Sequence, residues 1–117
     1  MVVALSGDLG AGKTTFVQHI AKALGVEETV ASPTFVIEKI YALAGQTFDR
    51  LVHIDAYRLD GAHELEKLGW QELLADPGNL ILIEWPERVE AIIPADAIRL
   101  VLGILDDHSR SFSYEDN

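Results

Sequence analysis

Val2-Val3-Ala4-Leu5-Ser6-Gly7-Asp8-Leu9-Gly10-Ala11-Gly12-Lys13-Thr14 is the stretch from which the rest of the chain is read. Val2 to Leu5 is a short apolar run that stops at a Gly-rich turn, the pattern of a buried strand. Past the turn, Phe16, Val17, Ile20, Ala21 and Leu24 recur at helical spacing, and Gly25 follows as a helix stop. Between strand and helix, Gly7 to Thr14 satisfies G-x-x-x-x-G-K-[ST] at every required position. The residue types fit the task of holding a triphosphate. Glycines at 7, 10 and 12 let the backbone approach closely and turn its N–H groups inward as an anion nest. The helix starting near Gly12 aims the positive end of its dipole at the same place. Lys13 can reach the β and γ oxygens, and the Thr14 hydroxyl can ligate Mg²⁺. The expected phosphate-binding residues are therefore Gly7, Asp8, Leu9, Gly10, Ala11, Gly12, Lys13, Thr14 and Thr15. An accidental Gly-rich turn would not need a strand entering and an amphipathic helix leaving, and both are present.

Outward from this motif, Thr34 to Tyr41 and Thr47 to Ile54 are rich in β-formers and read as an antiparallel hairpin around Ala44-Gly45-Gln46. A helical stretch follows from about Ala62 to Leu68 and again from Gln71 to Leu74, with Leu65, Leu68, Leu73 and Leu74 expected to face the core. Asp76-Pro77-Gly78-Asn79 is a strong turn. Leu80 to Glu84 is apolar on both faces until its last residue, as a central parallel strand should be. Pro86 and Pro94 bracket a short helical or irregular piece. Ala97 to Ile104 and Ser111 to Tyr114 read as a closing hairpin around Asp106 to Ser109. The order β-α-β-β-α-β-β-β predicts an α/β fold of the P-loop NTPase kind, a mixed parallel and antiparallel sheet flanked by helices. Residues 1–117 read as a single nucleotide-binding domain.

A phosphate-binding loop needs an acidic residue at the end of a neighbouring apolar strand to complete a metal shell. Glu84 ends Leu80-Ile81-Leu82-Ile83, and Asp55 ends Leu51-Val52-His53-Ile54. Either could be a solvated strand-end carboxylate. With a phosphate loop in the same chain, both are expected in the site, and Glu84 is the candidate for the metal side or for orienting water. Which acid ligates the metal with Thr14 stays open. Ser32-Pro33-Thr34 lies where such proteins often carry a threonine that senses the γ-phosphate, and it is also an ordinary turn sequence. His19, His53, His63 and His108 are scattered without metal-ligand spacing. Trp70 reads as a packing residue, whereas Trp85 follows Glu84 and could wall the site.

Composition narrows the function classes. Nine Lys+Arg against 19 Asp+Glu give a net charge of −10, which repels phosphate backbones and anionic membrane surfaces. Any contact with nucleic acid would need a local basic patch or a partner that supplies one, and no run of three basic residues exists. Absence of Cys removes disulfides and thiolate zinc sites and fits a cytoplasmic location. Met1 to Leu5 lack the features of a signal peptide, and no apolar run approaches the roughly 20 residues of a membrane span.

Four blocks in this order, GDLGAGKTTF (7–16), SPTF (32–35), HIDAYRL (53–59) and IEWPER (83–88), resemble the bacterial TsaE proteins, formerly YjeE. The resemblance implies a small ATPase using ATP, ADP and Mg²⁺ in the threonylcarbamoyladenosine modification of tRNA. It implies action on a TsaB–TsaD complex in which TsaD holds the transferase site, with ATP hydrolysis resetting that complex. It also implies that Thr34 is the switch-like threonine, that Asp55 and Glu84 are the essential acids, and that Trp85 is their neighbouring tryptophan. Members usually carry a helical segment before the first strand, and Met1 lies only six residues before Gly7, so a shortened N-terminal segment is expected. The rival readings are a GTPase, a small-molecule kinase and a nucleotide-dependent binding module. No [NT]-K-x-D element supports guanine selection, and few Arg residues are available for a kinase's second substrate.

Overall fold

Strand sequences that are apolar on both faces need cover on both faces, and the sheet is built that way. The computed structural model describes residues 1–7, 13–26, 38–104 and 110–115, with Thr14, Gly103, Ile104 and 110–115 described by backbone alone. The strands are β1 (Val2–Gly7), β2 (Glu38–Ala42), β3 (Arg50–Asp55), β4 (Asn79–Glu84), β5 (Ile98–Ile104) and β6 (Arg110–Glu115). They form one sheet in the order β2-β3-β4-β1-β5-β6. β3, β4, β1 and β5 are mutually parallel, while β2 and β6 pair antiparallel at the two edges. This is the expected mixed sheet, and β4 lies between β3 and β1 with all six of its residues buried.

Helix α1 (Lys13–Ala23) covers one face, where Val17 and Ala21 meet Leu5, Leu51 and Leu82. Helices α2 (Ala62–Lys67) and α3 (Trp70–Ala75), with the 3-10 segment Pro86–Ile92, cover the other. There Leu65, Trp70 and Val89 pack on Val52, Ile54, Ile81 and Ile83. Each of these large side chains, fully buried, contributes on the order of 1.5–3 kcal/mol. Trp70 is also tied by its indole, whose Nε1–H donates to the Ile92 carbonyl at 3.1 Å, so the ring joins α3 to the 3-10 segment.

The helical stretch after β3 departs from expectation in phase. Leu68 is not a core residue; it is 45% exposed, while Trp70 is fully buried. Helix α2 ends at Lys67, and Gly69 takes the left-handed conformation at φ 88°. That turn, open to glycine at little cost, restarts the helix with a new face inward. The hairpin also differs at its bend. β3 begins at Arg50, and the stretch from Leu43 to Asp49 is a loop. Asp49 N–H and Arg50 N–H both donate to the Gly78 carbonyl, so the turn before β4 fixes where β3 starts. The expected hairpin start at 34–37 and the closing turn at 106–109 lie outside the described residues.

At the beginning of β3, Arg50 forms an ion pair with Asp76, and its Nε donates to Asn79 Oδ1 at 2.8 Å. Asn79 Nδ2 in turn donates to the Leu73 carbonyl at 3.0 Å, tying α3 to the start of β4.

Candidate nucleotide site

Parallel strands deliver their C-terminal ends to one edge of a sheet, and in open α/β folds ligands bind there. β1 reaches this edge at Gly7, β3 at Asp55 and β4 at Glu84. Asp55 is in register with Glu84, and Glu84 with Leu5, so the two carboxylates stand on adjacent strands beside the strand that enters the glycine-rich loop. Alternation with Ile54 and Ile83, which pack on the α2 side, turns both acids toward the α1 side.

The two acids are held differently. Asp55 is half-buried, and its Oδ1 accepts the Tyr57 backbone N–H at 3.0 Å, a local turn of the kind Asp favours. Glu84 is only 3% exposed. Its Oε2 lies 2.6 Å from Nε2 of His53, which is completely buried, and the other ring nitrogen, Nδ1, has no partner. The Glu84 carbonyl accepts the Ala56 N–H at 3.0 Å, locking the ends of β3 and β4 together.

Lys13 opens α1 and is 5% exposed. Its ammonium donates to the Gly7 carbonyl at 2.5 Å and sits 3.7 Å from the centre of the Trp85 ring. Tyr57 lies 4.9 Å from Trp85, and the Arg88 guanidinium 5.3 Å from Tyr57. The result is a ladder of cation, aromatic, aromatic and cation along the rim. Trp85 adopts a left-handed backbone, φ 59° and ψ 51°. For a bulky residue this costs on the order of 1–3 kcal/mol. It reverses the chain after β4, with Pro86 following at the start of the 3-10 segment.

The fold thus brings Gly7, Lys13, Asp55, Glu84 and Trp85 to one edge. Thr15 is exposed in the first turn of α1, and Thr14 lies in that turn by its backbone. Asp8, Leu9, Gly10, Ala11, Gly12 and Thr34 lie outside the described residues. Two features of this edge were not legible in the sequence, one on the site's face of the sheet and one on the opposite face. One is the His53–Glu84 contact, whose signal was a polar ring in an otherwise apolar strand. The other is Glu38, which starts β2 in register with Ile54 and has a buried oxygen, Oε2, without a partner. Burial pushes the Glu38 carboxyl above the usual carboxylate range.

Among the described residues, no three His, Asp or Glu side chains are grouped so as to hold a metal by themselves. The donor chemistry is that of a shared site: Mg²⁺ is usually bound by one or two carboxylates together with substrate phosphates and water. Asp55 and Glu84 supply hard oxygen donors of that kind. No helix among the described residues is long and apolar enough to cross a membrane.

Comparison with known proteins gives a family. The model of the family "Threonylcarbamoyl adenosine biosynthesis protein TsaE" matches residues 1–112. Proteins named tRNA threonylcarbamoyladenosine biosynthesis protein TsaE are similar over most of the chain. That of Rickettsia felis is 41% identical over 93% of this chain and 61% of its own length. That of Streptomyces coelicolor is 43% identical over 85% and 66%, and that of Treponema pallidum 38% identical over 96% and 79%. The crystal structure of YdiB from Bacillus subtilis superposes with a TM-score of 0.76 at 33% identity, covering 97% of this chain and 66% of that one. The chain therefore spans about three-fifths to four-fifths of the length of these relatives.

Proposed function

The chain belongs to the TsaE family, and from that premise we propose that it is a P-loop ATPase of tRNA threonylcarbamoyladenosine formation. In this reading it acts on a TsaB–TsaD complex and is not itself the transferase. The observation that carries the proposal is the meeting of Lys13, Asp55 and Glu84 at the strand edge where β1 enters the G-x-x-x-x-G-K-T loop.

Each residue then has a task. Lys13 exchanges its contact with the Gly7 carbonyl for the β and γ oxygens of ATP. Gly7 to Gly12 surround the phosphates with backbone N–H groups. Mg²⁺ bound with ATP neutralises charge on the β- and γ-phosphates, and Thr14 with Asp55 or Glu84 would hold it. The other acid orients the attacking water. Trp85 walls the site and flanks Lys13. Thr34 contacts the γ-phosphate and couples its loss to the hairpin that follows, so the surface offered to a partner differs between ATP and ADP states. The net charge of −10 supports a protein partner with a basic surface, tRNA being met only through the complex.

The test is ATP turnover with and without TsaB–TsaD, beside co-elution with ATP, with ADP and with neither over a salt series. A slow turnover that the partners change, and an assembly that weakens with salt, support the reading. Failure to associate with ATP, with ADP and with neither overturns the partner assignment. ATP should also protect against heat more than GTP. At a hundredfold excess over Kd, a ligand of the folded state adds about 2.7 kcal/mol.

A further inference from the structure

A histidine in the middle of a buried strand needs an explanation, because leucine or valine would fill the position without a polar ring to satisfy. His53 is flanked by Leu51, Val52 and Ile54, none of them exposed. Its side chain makes one hydrogen bond, 2.6 Å from Nε2 to Glu84 Oε2, and Nδ1 makes none. We propose that His53 is a positioning residue for the proposed site: its Nε2–H holds the buried Glu84 carboxylate in the orientation that turnover requires.

Four observations support this. His53 is in register with Leu82, so it stands on the same face as Glu84, one pleat behind it on the neighbouring strand. The arrangement is therefore set by sheet register. Next, Glu84 has a long side chain with several rotatable bonds, and at 3% exposure it has little water to order it. Asp55, on the neighbouring strand end, is met locally instead, by the Tyr57 N–H two residues on. Finally, donation from Nε2 leaves Nδ1 as a bare lone pair, whereas the other tautomer would bury an N–H without an acceptor and set two acceptors against each other. The contact itself thus selects the tautomer that can hold a carboxylate. Groups placed behind the reacting shell commonly fix its geometry in this way.

The proposal rests on the ATPase reading, and the experiment separates the two. His53→Leu removes the donor in favour of an apolar side chain. His53→Gln keeps an N–H near the Nε2 position. His53→Asn keeps polarity but falls short of Glu84. Turnover, nucleotide affinity and the crystal structure of each full-length variant are compared with wild type. In the Leu and Asn variants kcat should fall about 10–100-fold, with KM and nucleotide Kd within about threefold. Gln should recover most of the loss, and the Glu84 carboxylate should stay in place in the Gln variant alone. Wild-type kcat in a folded Leu or Asn variant, or a Gln variant no better than Asn, overturns the proposal. If the Leu variant fails to fold, the Gln–Asn pair decides. If wild type hydrolyses no ATP, the ATPase reading fails, while the Glu84 position across the variants still decides what His53 does. An unmoved Glu84 in the Leu and Asn variants refutes the positioning role.

Discussion

Strand β3 carries charged partners at both ends, and the two ends treat charge in opposite ways. At its start Arg50 pairs with Asp76, both side chains 41% exposed, and a hydrogen bond to Asn79 completes the link to α3 and β4. At its end His53 and Glu84 are buried, one ring nitrogen has no partner, Lys13 lies against an aromatic ring, and Trp85 holds a strained backbone. An exposed pair is weak because water screens it, so its loss is small. A buried carboxylate is costly unless something pairs with it, and a fold retains such a group where its chemistry is used. The difference sets a connection at the start of the strand against the proposed site at its end.

The comparison is broken most sharply at Lys13. Lys13→Ala should lower ATP turnover by about 10²–10³-fold or more, because it removes a cation placed for the developing phosphate charge. Circular dichroism should stay native, since the amine contacts the rim at Gly7 and Trp85. A folded variant with wild-type turnover would remove the phosphate-loop assignment.

The acids should follow with a smaller loss. Asp55→Asn and Glu84→Ala should each reduce kcat by about 10²-fold and leave nucleotide Kd within a few fold, because transition-state stabilisation is lost and ground-state phosphate contacts remain. Titration of nucleotide beside turnover makes the distinction. Normal hydrolysis by both variants would make these carboxylates ordinary strand ends.

At the start of β3, the matching change should do almost nothing. Asp76→Asn removes the charge facing Arg50 and keeps an oxygen for the Gly78 N–H. Chemical denaturation should show a loss of no more than about 1 kcal/mol, with turnover at the wild-type level. A loss comparable to that at Asp55 would dissolve the contrast between the two ends.

Glu38 offers the smallest and opposite effect. Burial raises its carboxyl pKa in the folded chain, so the folded state favours the protonated form. Its contribution is therefore favourable at acid pH and is lost as pH rises through the raised value. Glu38→Gln should stabilise the protein at neutral pH, and the gain should vanish as pH falls below the ordinary glutamate range of about 4.3. Denaturant midpoints at the two pH values test the sign. A variant less stable than wild type at neutral pH would show that the ionised carboxylate is the favoured form.

Sequence alone determined the elements whose signal is local. The G-x-x-x-x-G-K-T spacing between an apolar run and a 3.6-residue repeat located β1 and α1, and the unbroken apolar run of Leu80 to Ile83 placed β4 inside the sheet. Asp55 and Glu84 were legible as site candidates because each ends such a strand. Tertiary structure decided the rest, because it depends on registers between segments far apart in the chain. Whether Leu68 or Trp70 turns inward depended on one left-handed glycine. Whether His53 was a core ring or a partner of Glu84 depended on β3 and β4 pairing with Asp55 opposite Glu84. A slip of one residue would have turned that carboxylate to the other face.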